Sequence, residues 1–423
     1  MEKNKGRNNS QKNVRKKKRM SYKKRIQTIQ IGAITFAVFL TLIVGAQILT
    51  SRLVGEPDNS NMASTADQAL DEAAVTDVPD DNSSQTAVST TTPEAVESEQ
   101  IDHAEATPTG EAESSEPAEE VQITISAAGN CTIGGDESFS TANNFDAFYI
   151  VKKDLGYLFQ NVKDIFAADD LTIINMEGTL TEVNTRQEKT YAFKGSPKYA
   201  QVLSLGNVDA ANLGNDHSKD YGEQSYADTI QNLESEGIVA FGNERVAVMD
   251  IKGIKIGLVG INETASGLEC QTELIANINQ AIEQGSEAVI VSFHWGDLES
   301  TVPDDVQKEL AHIAIDNGAD LVLGHHPKTL QGIEKYNGKN IVYSLGNFCY
   351  GGEFMPTDKD TMIYQQTFTF HDGVLVEDDV TNIIPCKMSS LDEYNDYQPT
   401  PAEGTEADRI LQKINEQSAA LAS

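Results

Sequence analysis

Two adjacent histidines, His325 and His326, stand at the end of the apolar run ADLVLG. Neutral imidazole is the commonest nitrogen ligand for zinc and related ions in proteins. The pair therefore predicts a contribution to a catalytic metal centre. Two histidines do not complete such a centre, so its other ligands must come from elsewhere in the chain.

Polar groups also end four other apolar runs that have the character of β-strands. They are Asn130 after QITISAAG, Glu177 after LTIINM, Asn215 to His217 after VDAANLG, and His294 after AVIVSF. Ligands of open α/β sheets bind beyond the carboxyl ends of the strands, so these groups could converge in space. Single Asn or Asp residues are common in loops, but together the set offers the nitrogen and oxygen donors that divalent metals prefer.

The elements that must position these groups alternate between short β-type runs and helical patterns, which predicts an α/β fold. Helical spacing predicts crossover helices over about 154–167, 223–236, 273–285 and 304–317. The domain is expected to span residues 121–384. A C-terminal tail over 385–423 contains a weakly amphipathic helical pattern at 407–422.

The N-terminal region predicts a membrane anchor. Residues 1–27 contain twelve Lys or Arg and one acid, whereas the 21 residues from Ile29 to Leu49 carry no charge. A helix of that length matches the roughly 30 Å hydrocarbon core of a bilayer, and it exceeds the ~7–15 residues of a signal-peptide core. We expect one transmembrane helix over 28–50, with a cytoplasmic basic segment before it and everything after it outside the cell membrane.

Residues 51–120 predict a disordered acidic linker. They are rich in Ser, Thr, Ala, Glu, Asp and Pro, and they hold 18 acids against the single base Arg52. Such a segment has too little apolar material to offset its chain entropy, and its self-repulsion should extend it.

The charge of residues 121–423 limits the class of partner. This part has 46 acids and 19 bases, a formal balance of −27. Nucleic acid is therefore not expected as a partner, because its binding requires a basic surface. A cationic partner, or an acidic polymer accepted through bound cations, fits better. The four cysteines are widely spaced without CxxC pairs, so a disulfide and free thiols both remain open.

Five ordered motifs resemble the CapA family of poly-γ-glutamate capsule synthesis proteins, which is similar in fold to the calcineurin-like metallophosphoesterases. The resemblance covers residues 122–350. The motifs are INMEGTLT at 174–181, NLGNDHSKDYG at 212–222, FHWG at 293–296, GHHPKTLQGIEKYNGK at 324–339 and YSLGNF at 343–348. It implies a metallophosphatase-like β-sandwich flanked by helices, with a divalent metal site at the loop ends.

The resemblance also implies roles for individual residues. The positions that match the family's polar motifs are Glu177, His217, Asp220, His294, His325 and His326. The metal ligands are expected among Glu177, Asp216, His217, His294 and His326. For the catalytic groups we expect His325 as ligand, general acid or orienting group, and Asn130 and Asn215 as donors to an oxyanion. Lys328 and Trp295 are the expected substrate-binding residues, while a packing role for Trp295 and a solvent-facing Lys328 stay open.

Three positions depart from the family pattern and bear on the metal content. Asn130 stands where the family usually has Asp, Asp216 where it usually has Asn, and Lys328 where it commonly has a third histidine. A protonated lysine has no lone pair for coordination. If the side chains of Asn130 and Asp216 face one cavity, the exchange between loops restores the formal charge. The pattern favours one ion over two and leaves a metal-free site open.

The resulting expectation is a single-pass, extracytoplasmic protein of poly-γ-glutamate capsule synthesis or export, with a metal-dependent hydrolase or transferase activity left open. Two alternatives stay open beside it: a non-catalytic polymer-assembly subunit and a generic surface metallophosphoesterase. The expected partners are the membrane, polyglutamate or another anionic polymer, and the membrane subunits of a capsule synthase.

Overall fold

The computed structural model describes residues 120–140 and 144–421, in which strands alternate with helices. The helices are α1 Phe145–Lys152, α2 Lys163–Phe166, α3 Ala200–Ser204, α4 Glu223–Ser235, α5 Gln271–Glu283, α6 Asp305–Asp316 and α7 Gly404–Leu421, with 3-10 turns at Leu155–Tyr157, Pro197–Tyr199 and Gly267–Cys270. The strands are β1 Glu120–Thr132, β2 Gly135–Asp136, β3 Leu171–Glu177, β4 Thr179–Leu180, β5 Phe193–Gly195, β6 Ala210–Asn212, β7 Val239–Phe241, β8 Ala247–Ile251, β9 Ile254–Asn262, β10 Ala288–His294, β11 Leu321–His325, β12 Ile333–Tyr336, β13 Lys339–Val342, β14 Asn347–Tyr350, β15 Asp360–His371, β16 Val374–Lys387 and β17 Thr400–Pro401. The α/β class is confirmed.

Two large sheets organise the domain. The first has the order β17-β16-β15-β1-β3-β6-β7, with β14 also paired to β1, and the second has the order β12-β13-β11-β10-β9-β8. Strands β14, β1, β3, β6 and β7 are mutually parallel, as are β9, β10, β11 and β13. A small third sheet has the order β2-β5-β4. Each large sheet therefore has a parallel centre whose carboxyl ends can carry a site.

The two sheets pack face to face around a shared core. Ile125 and Ile173 of the first sheet join Ile256, Ile290 and Leu323 of the second in one buried cluster. Burying each such side chain stabilises the fold by about 1.5–3 kcal/mol. Separate buried clusters join the outer face of the first sheet to α1–α4 and that of the second to α5 and α6. Helices thus cover both outer faces of a β-sandwich.

Local sequence accounts for most of the helix bounds. At the start of α6 the Asp304 side chain accepts from the backbone N–H groups of Val306 and Gln307, and Gln307 completes a capping box. The helices predicted over 223–236, 273–285 and 304–317 are confirmed as α4, α5 and α6. The continuous helix predicted over 154–167 is wrong, because the Asp154 side chain caps a 3-10 turn and only Lys163–Phe166 is α-helical.

The C-terminal tail belongs to the same domain. Strand β16 continues to Lys387, past the predicted boundary at 384, and β17 pairs with it. Helix α7 buries Ile410 and Ile414 in the core shared by the two sheets. The four cysteines are buried free thiols.

The predicted segments at 1–27 and 28–50, and all of the predicted linker 51–120 except Glu120, lie outside the described residues; Glu120 begins β1. Among residues 120–140 and 144–421, the helices are too short or too polar to cross a bilayer.

Candidate metal centre

The core between the sheets turns polar at the carboxyl ends of the strands. On β3 the inward-facing residues run from Ile173 to Asn175 and Glu177, and on β10 they run from Ile290 to His294. Alternate residues of a strand share one face, so each strand continues its apolar inner face into polar side chains. The two sheets together thereby form the floor of a polar site.

Three side chains from separate strand ends and the loops after them meet at this floor. His294 Nε2 lies 3.0 Å from Asp216 Oδ1, and His326 Nδ1 lies 3.0 Å from His294 Nε2. One ligand atom from each of the three lies within 4.8 Å of the other two. His294 ends β10, Asp216 follows β6, and His326 follows β11 with a φ of 98°. Among the described residues this is the one such group of three, and it unites three of the predicted ligands.

The donor chemistry of this group fits a divalent cation. Bonds of about 2.0–2.2 Å to nitrogen and oxygen place neighbouring ligand atoms roughly 3 Å apart, as found here between His294 and each of the other two residues. A single hydrogen on His294 Nε2 cannot serve both Asp216 and His326, whereas one cation can accept lone pairs from all three residues. One carboxylate with two imidazoles suits zinc and similar borderline ions.

The electrostatic setting keeps two of the three donors, Asp216 and His326, in the forms that coordinate metals. Burial opposes ionisation of Asp216, but the hydrogen bond with His294 and the nearby Lys189 ammonium lower the pKa of this carboxyl well below its usual value. Burial lowers the pKa of His326 to about 3, and the neighbouring His294 contributes to the shift. At neutral pH Asp216 is therefore a carboxylate and His326 carries a free lone pair.

A second polar group, His217, Asp220 and Lys189, adjoins Asp216 on its other side. His217 Nδ1 lies 2.7 Å from Asp220 Oδ2, and Lys189 Nζ lies 2.8 Å from Asp220 Oδ1. Burial opposes protonation of His217, but the hydrogen bond to Asp220 and the negative charge of Glu177 raise the pKa of His217 above its usual value. His217 Nε2 lies 3.8 Å from Asp216 Oδ2. His217 is therefore oriented by Asp220 and suited to hold a proton.

Lys189 was not among the predicted site residues. Its ammonium also donates to the backbone carbonyl of Asp216 at 2.8 Å. It belongs to the segment between β4 and β5, which carries no strand-end pattern in the sequence. Glu177, a predicted ligand, is buried beside this second group, where Thr132 Oγ1 donates to its carboxylate at 3.2 Å.

The two asparagines expected to stabilise an oxyanion are engaged within the protein. Asn130 Nδ2 donates to Asn347 Oδ1 at 3.0 Å, and Asn215 Nδ2 donates to the carbonyl of Met176 at 2.8 Å. Both side chains are buried. In this arrangement they support the site from below.

The remaining predicted residues lie around the group of three. His325 is 1% exposed and, in the described part of the chain, neither ring nitrogen has a hydrogen-bond partner. Burial lowers the pKa of His325 to about 3. Trp295 is fully buried: its indole stacks on Phe293 at 4.3 Å and packs the core rather than a cavity wall. Lys328 Nζ lies 5.3 Å from the centre of the Tyr350 ring.

Two open cavities reach the site. One of about 1050 Å³ includes Asn215, Asp216, Lys219 and Arg245 in its lining. Another of about 620 Å³ is bounded by residues that include His326 and three acids, which are Glu263, Asp297 and Asp304. The Asp216 and His326 sides of the group are therefore both accessible from outside.

Fold and site together define an α/β sandwich protein with a candidate cation centre at the carboxyl ends of its strands. The family model described as bacterial capsule synthesis protein PGA_cap matches residues 124–351, more than half of the chain. The chain belongs to this family, and its resemblance to CapA proteins is confirmed.

Three relatives illustrate the match. The PGA biosynthesis protein CapA of Bacillus subtilis is 30% identical over 220 residues, which cover 47% of this chain and 58% of the relative. The capsule biosynthesis protein CapA of Bacillus anthracis is 24% identical over 235 residues, covering 49% and 57%. A probable polyglutamine synthesis accessory protein of Mycobacterium tuberculosis is 26% identical over 212 residues, covering 43% and 55%. The match thus spans a little over half the length of each relative.

Proposed function

We propose that this chain is a membrane-anchored, extracytoplasmic protein of poly-γ-glutamate capsule synthesis or export, with a metallophosphatase-like hydrolase or transferase centre that uses one divalent cation. The observation that carries the proposal is the convergence of Asp216, His294 and His326, whose ligand atoms lie within 4.8 Å of one another. Family membership and the names of the relatives support the link to capsule polymer.

In this proposal Asp216, His294 and His326 hold the cation. Bound there, such an ion would supply Lewis-acid chemistry toward a scissile oxygen and would lower the pKa of water. His217 supplies a proton to the leaving group, because Asp220 orients its ring and favours its charged form. Lys189 holds the Asp220 carboxylate in place at 2.8 Å. These roles give the protein an acid on one side of Asp216 and a cation on the other.

The substrate side of the proposal rests on charge. Polyglutamate is a polyanion, and the formal balance of residues 121–423 is −27. Repulsion between the two must therefore be offset locally, which a bound cation and the Lys328 ammonium, whose charge acts on His326, would do. Capsule-synthase membrane subunits and the membrane itself are the partners that fit an anchored protein of this kind.

Metal analysis of the purified full-length chain tests the proposal, together with assays on polyglutamate and on a simple phosphodiester. We expect about one equivalent of bound metal, lost together with activity in His294→Ala. The matched control is His312→Ala, because His312 lies on α6 and pairs with Glu334 instead. A chain that turns over either substrate after complete removal of metal would contradict the proposed centre.

A non-catalytic polymer-assembly role is the second candidate. The observation that favours it is Asn130, whose amide nitrogen and oxygen both bond to neighbouring asparagines where the family usually has a carboxylate. Bound metal without turnover of either substrate would support this role. Turnover of the phosphodiester alone would favour a generic surface metallophosphoesterase instead.

The proposed topology has its own test. Protease added to intact cells should digest the domain that contains the site, because residues after the span at 28–50 would lie outside the membrane. Full protection in intact cells, with digestion after lysis, would contradict an extracytoplasmic location.

A further inference from the structure

Four parallel strands each place one asparagine at the same level of the first sheet. In the register of β14, β1, β3 and β6, Asn347 pairs with Asn130, Asn130 with Asn175, and Asn175 with Asn212. Their amides form a chain in which each Nδ2 donates to the next Oδ1 at 3.0 Å, from Asn212 through Asn175 and Asn130 to Asn347. All four side chains are buried. We call this row the asparagine ladder.

Backbone groups fix the direction of the ladder. The N–H of Gly214 donates to Asn212 Oδ1 at 2.9 Å, so Asn212 must present its Nδ2 to Asn175. Asn215 gives a second amide donor to Asn175 Oδ1 at 3.3 Å. Asn215 is itself fixed, because its Nδ2 donates to the carbonyl of Met176 and its Oδ1 accepts from the N–H of His217. Backbone N–H and C=O groups cannot exchange donor and acceptor roles, so they fix the orientations of the two amides that donate to Asn175 Oδ1. The Asn175 Nδ2 group therefore points away from these two donors.

The opposing sheet leaves space for the ladder. A Cβ added to Gly260 of β9 would lie 2.0 Å from Asn212 Oδ1. A larger residue at this position would therefore push Asn212 out of line. The second sheet thus makes room for the first sheet's amides at the level of the site.

The free hydrogen of the Asn175 amide points at the candidate metal centre. One hydrogen of Asn175 Nδ2 is used by Asn130, and the other faces His294 Nδ1 at 3.3 Å. A nitrogen that accepts a hydrogen bond cannot itself carry a hydrogen there. In the neutral form of His294 the one ring hydrogen is then on Nε2, which lies 3.0 Å from Asp216 Oδ1.

We infer that Asn175 is a positioning residue, which holds His294 in the tautomer with hydrogen on Nε2 and thereby weakens cation binding by Asp216, His294 and His326. The inference rests on the proposed function of that site. A histidine that binds metal usually donates its other N–H to an acceptor such as a carboxylate. Here the cation can take Nε2 only when the hydrogen moves to Nδ1, where it meets an amide donor. The asparagine ladder therefore favours a cation that binds weakly and dissociates readily from the site.

Asn175→Asp tests this inference, because it keeps the shape of the side chain and replaces the donor facing His294 by an acceptor. The new carboxylate could still accept the amide bonds from Asn212 and Asn215. In the purified full-length chain, freed of metal, we expect a calorimetric titration with Zn²⁺ to show binding about 10–100-fold tighter than in the unaltered chain.

The matched control is Asn347→Asp. It makes the same chemical change at the far end of the ladder, two amides away from His294, where the new carboxylate can still accept from Asn130. We expect its Zn²⁺ affinity to stay within about threefold of the unaltered chain. Equal tightening in both variants would show a general effect of negative charge and would overturn the positioning role.

A second readout needs neither cation nor substitution. In the metal-free chain labelled with ¹⁵N-histidine, the nitrogen shifts of His294 should show hydrogen on Nε2 and a bare Nδ1. Hydrogen on Nδ1 in the unaltered chain would overturn the inference, whether or not Asn175→Asp folds. Failure of the unaltered chain to bind any divalent ion would instead remove the proposed function, while the tautomer would still be measured.

Discussion

Asp216 separates two groups of polar side chains that differ in how their charges are balanced. On one side lie His294 and His326, two imidazoles within reach of the Asp216 carboxylate. On the other side His217 pairs with Asp220, and the Lys189 ammonium contacts that carboxylate at 2.8 Å. The Lys189 ammonium lies closer to the Asp220 carboxylate of the second group, at 2.8 Å, than to the Asp216 carboxylate, at 3.6 Å. The difference supports the proposal that one cation is added, beside His294 and His326.

Removing the Asp216 carboxylate, which lies between the two groups, should have the largest effect on Zn²⁺ affinity. Asp216→Asn keeps the shape of the side chain but removes the single carboxylate of the three-ligand group, so we expect Zn²⁺ affinity to fall by about 100-fold or more. Calorimetric titration of the metal-free chain measures it. Asp220→Asn is the control on the lysine side and should change the affinity only a few-fold. An equal loss in both variants would mean that the two groups act as one site.

Removing the Lys189 ammonium should allow a second divalent ion to bind in the group that contains Asp220. Lys189→Met leaves the charges of Asp216, Asp220 and Glu177 without a lysine partner, and we expect a second divalent ion to bind there about tenfold more weakly than the first. Metal analysis at increasing Zn²⁺ would show the stoichiometry rise from one to two. Lys219→Met is the control, because Lys219 pairs with exposed Glu223 and should leave one ion bound. A stoichiometry of one in both variants would refute charge compensation by Lys189.

The contrast between the two groups also shows how far the sequence could predict the site. His294 and Glu177 follow from apolar strand patterns that end in a polar residue, and the converging strand ends follow from the α/β alternation. Trp295 follows His294 in sequence but points to the other face, since successive residues near a strand alternate sides. The same period could have identified it as a core residue from sequence.

Other parts of the site depend on information that a single sequence does not contain. Lys189 reaches Asp216 and Asp220 through the fold of a long segment between strands, and its position there has no periodic pattern. The asparagine ladder depends on the register between strands as far apart as residues 130 and 347. Sequence patterns predict strands well, but they do not fix how distant strands align.

His325 is a buried imidazole outside the group of three candidate ligands, and its burial should make stability depend on pH. Burial lowers the pKa of His325 to about 3, so the unfolded chain takes up a proton near pH 6.5 that the folded chain refuses until about pH 3. Stability from this residue is complete above pH 6.5 and falls as the pH drops through that window. Between pH 6.5 and 5, the free energy of unfolding of the metal-free His325→Gln chain should fall by about 1–2 kcal/mol less than that of the unaltered chain. Denaturant titration measures this difference. An unchanged pH dependence would show that His325 is already charged or exposed.

A substitution at Trp295 should lower the free energy of unfolding and leave Zn²⁺ affinity nearly unaltered. Its indole Nε1 donates to the carbonyl of Tyr343 at 2.9 Å, and Trp295→Phe removes that bond inside the core. Leaving the buried carbonyl unpaired should lower the free energy of unfolding by about 1–2 kcal/mol. Zn²⁺ affinity should stay within about twofold, because the indole lies on the face of β10 opposite His294. A large loss of Zn²⁺ affinity in a folded Trp295→Phe chain would instead mean that the packing behind β10 sets the angle at which His294 meets Asp216 and His326.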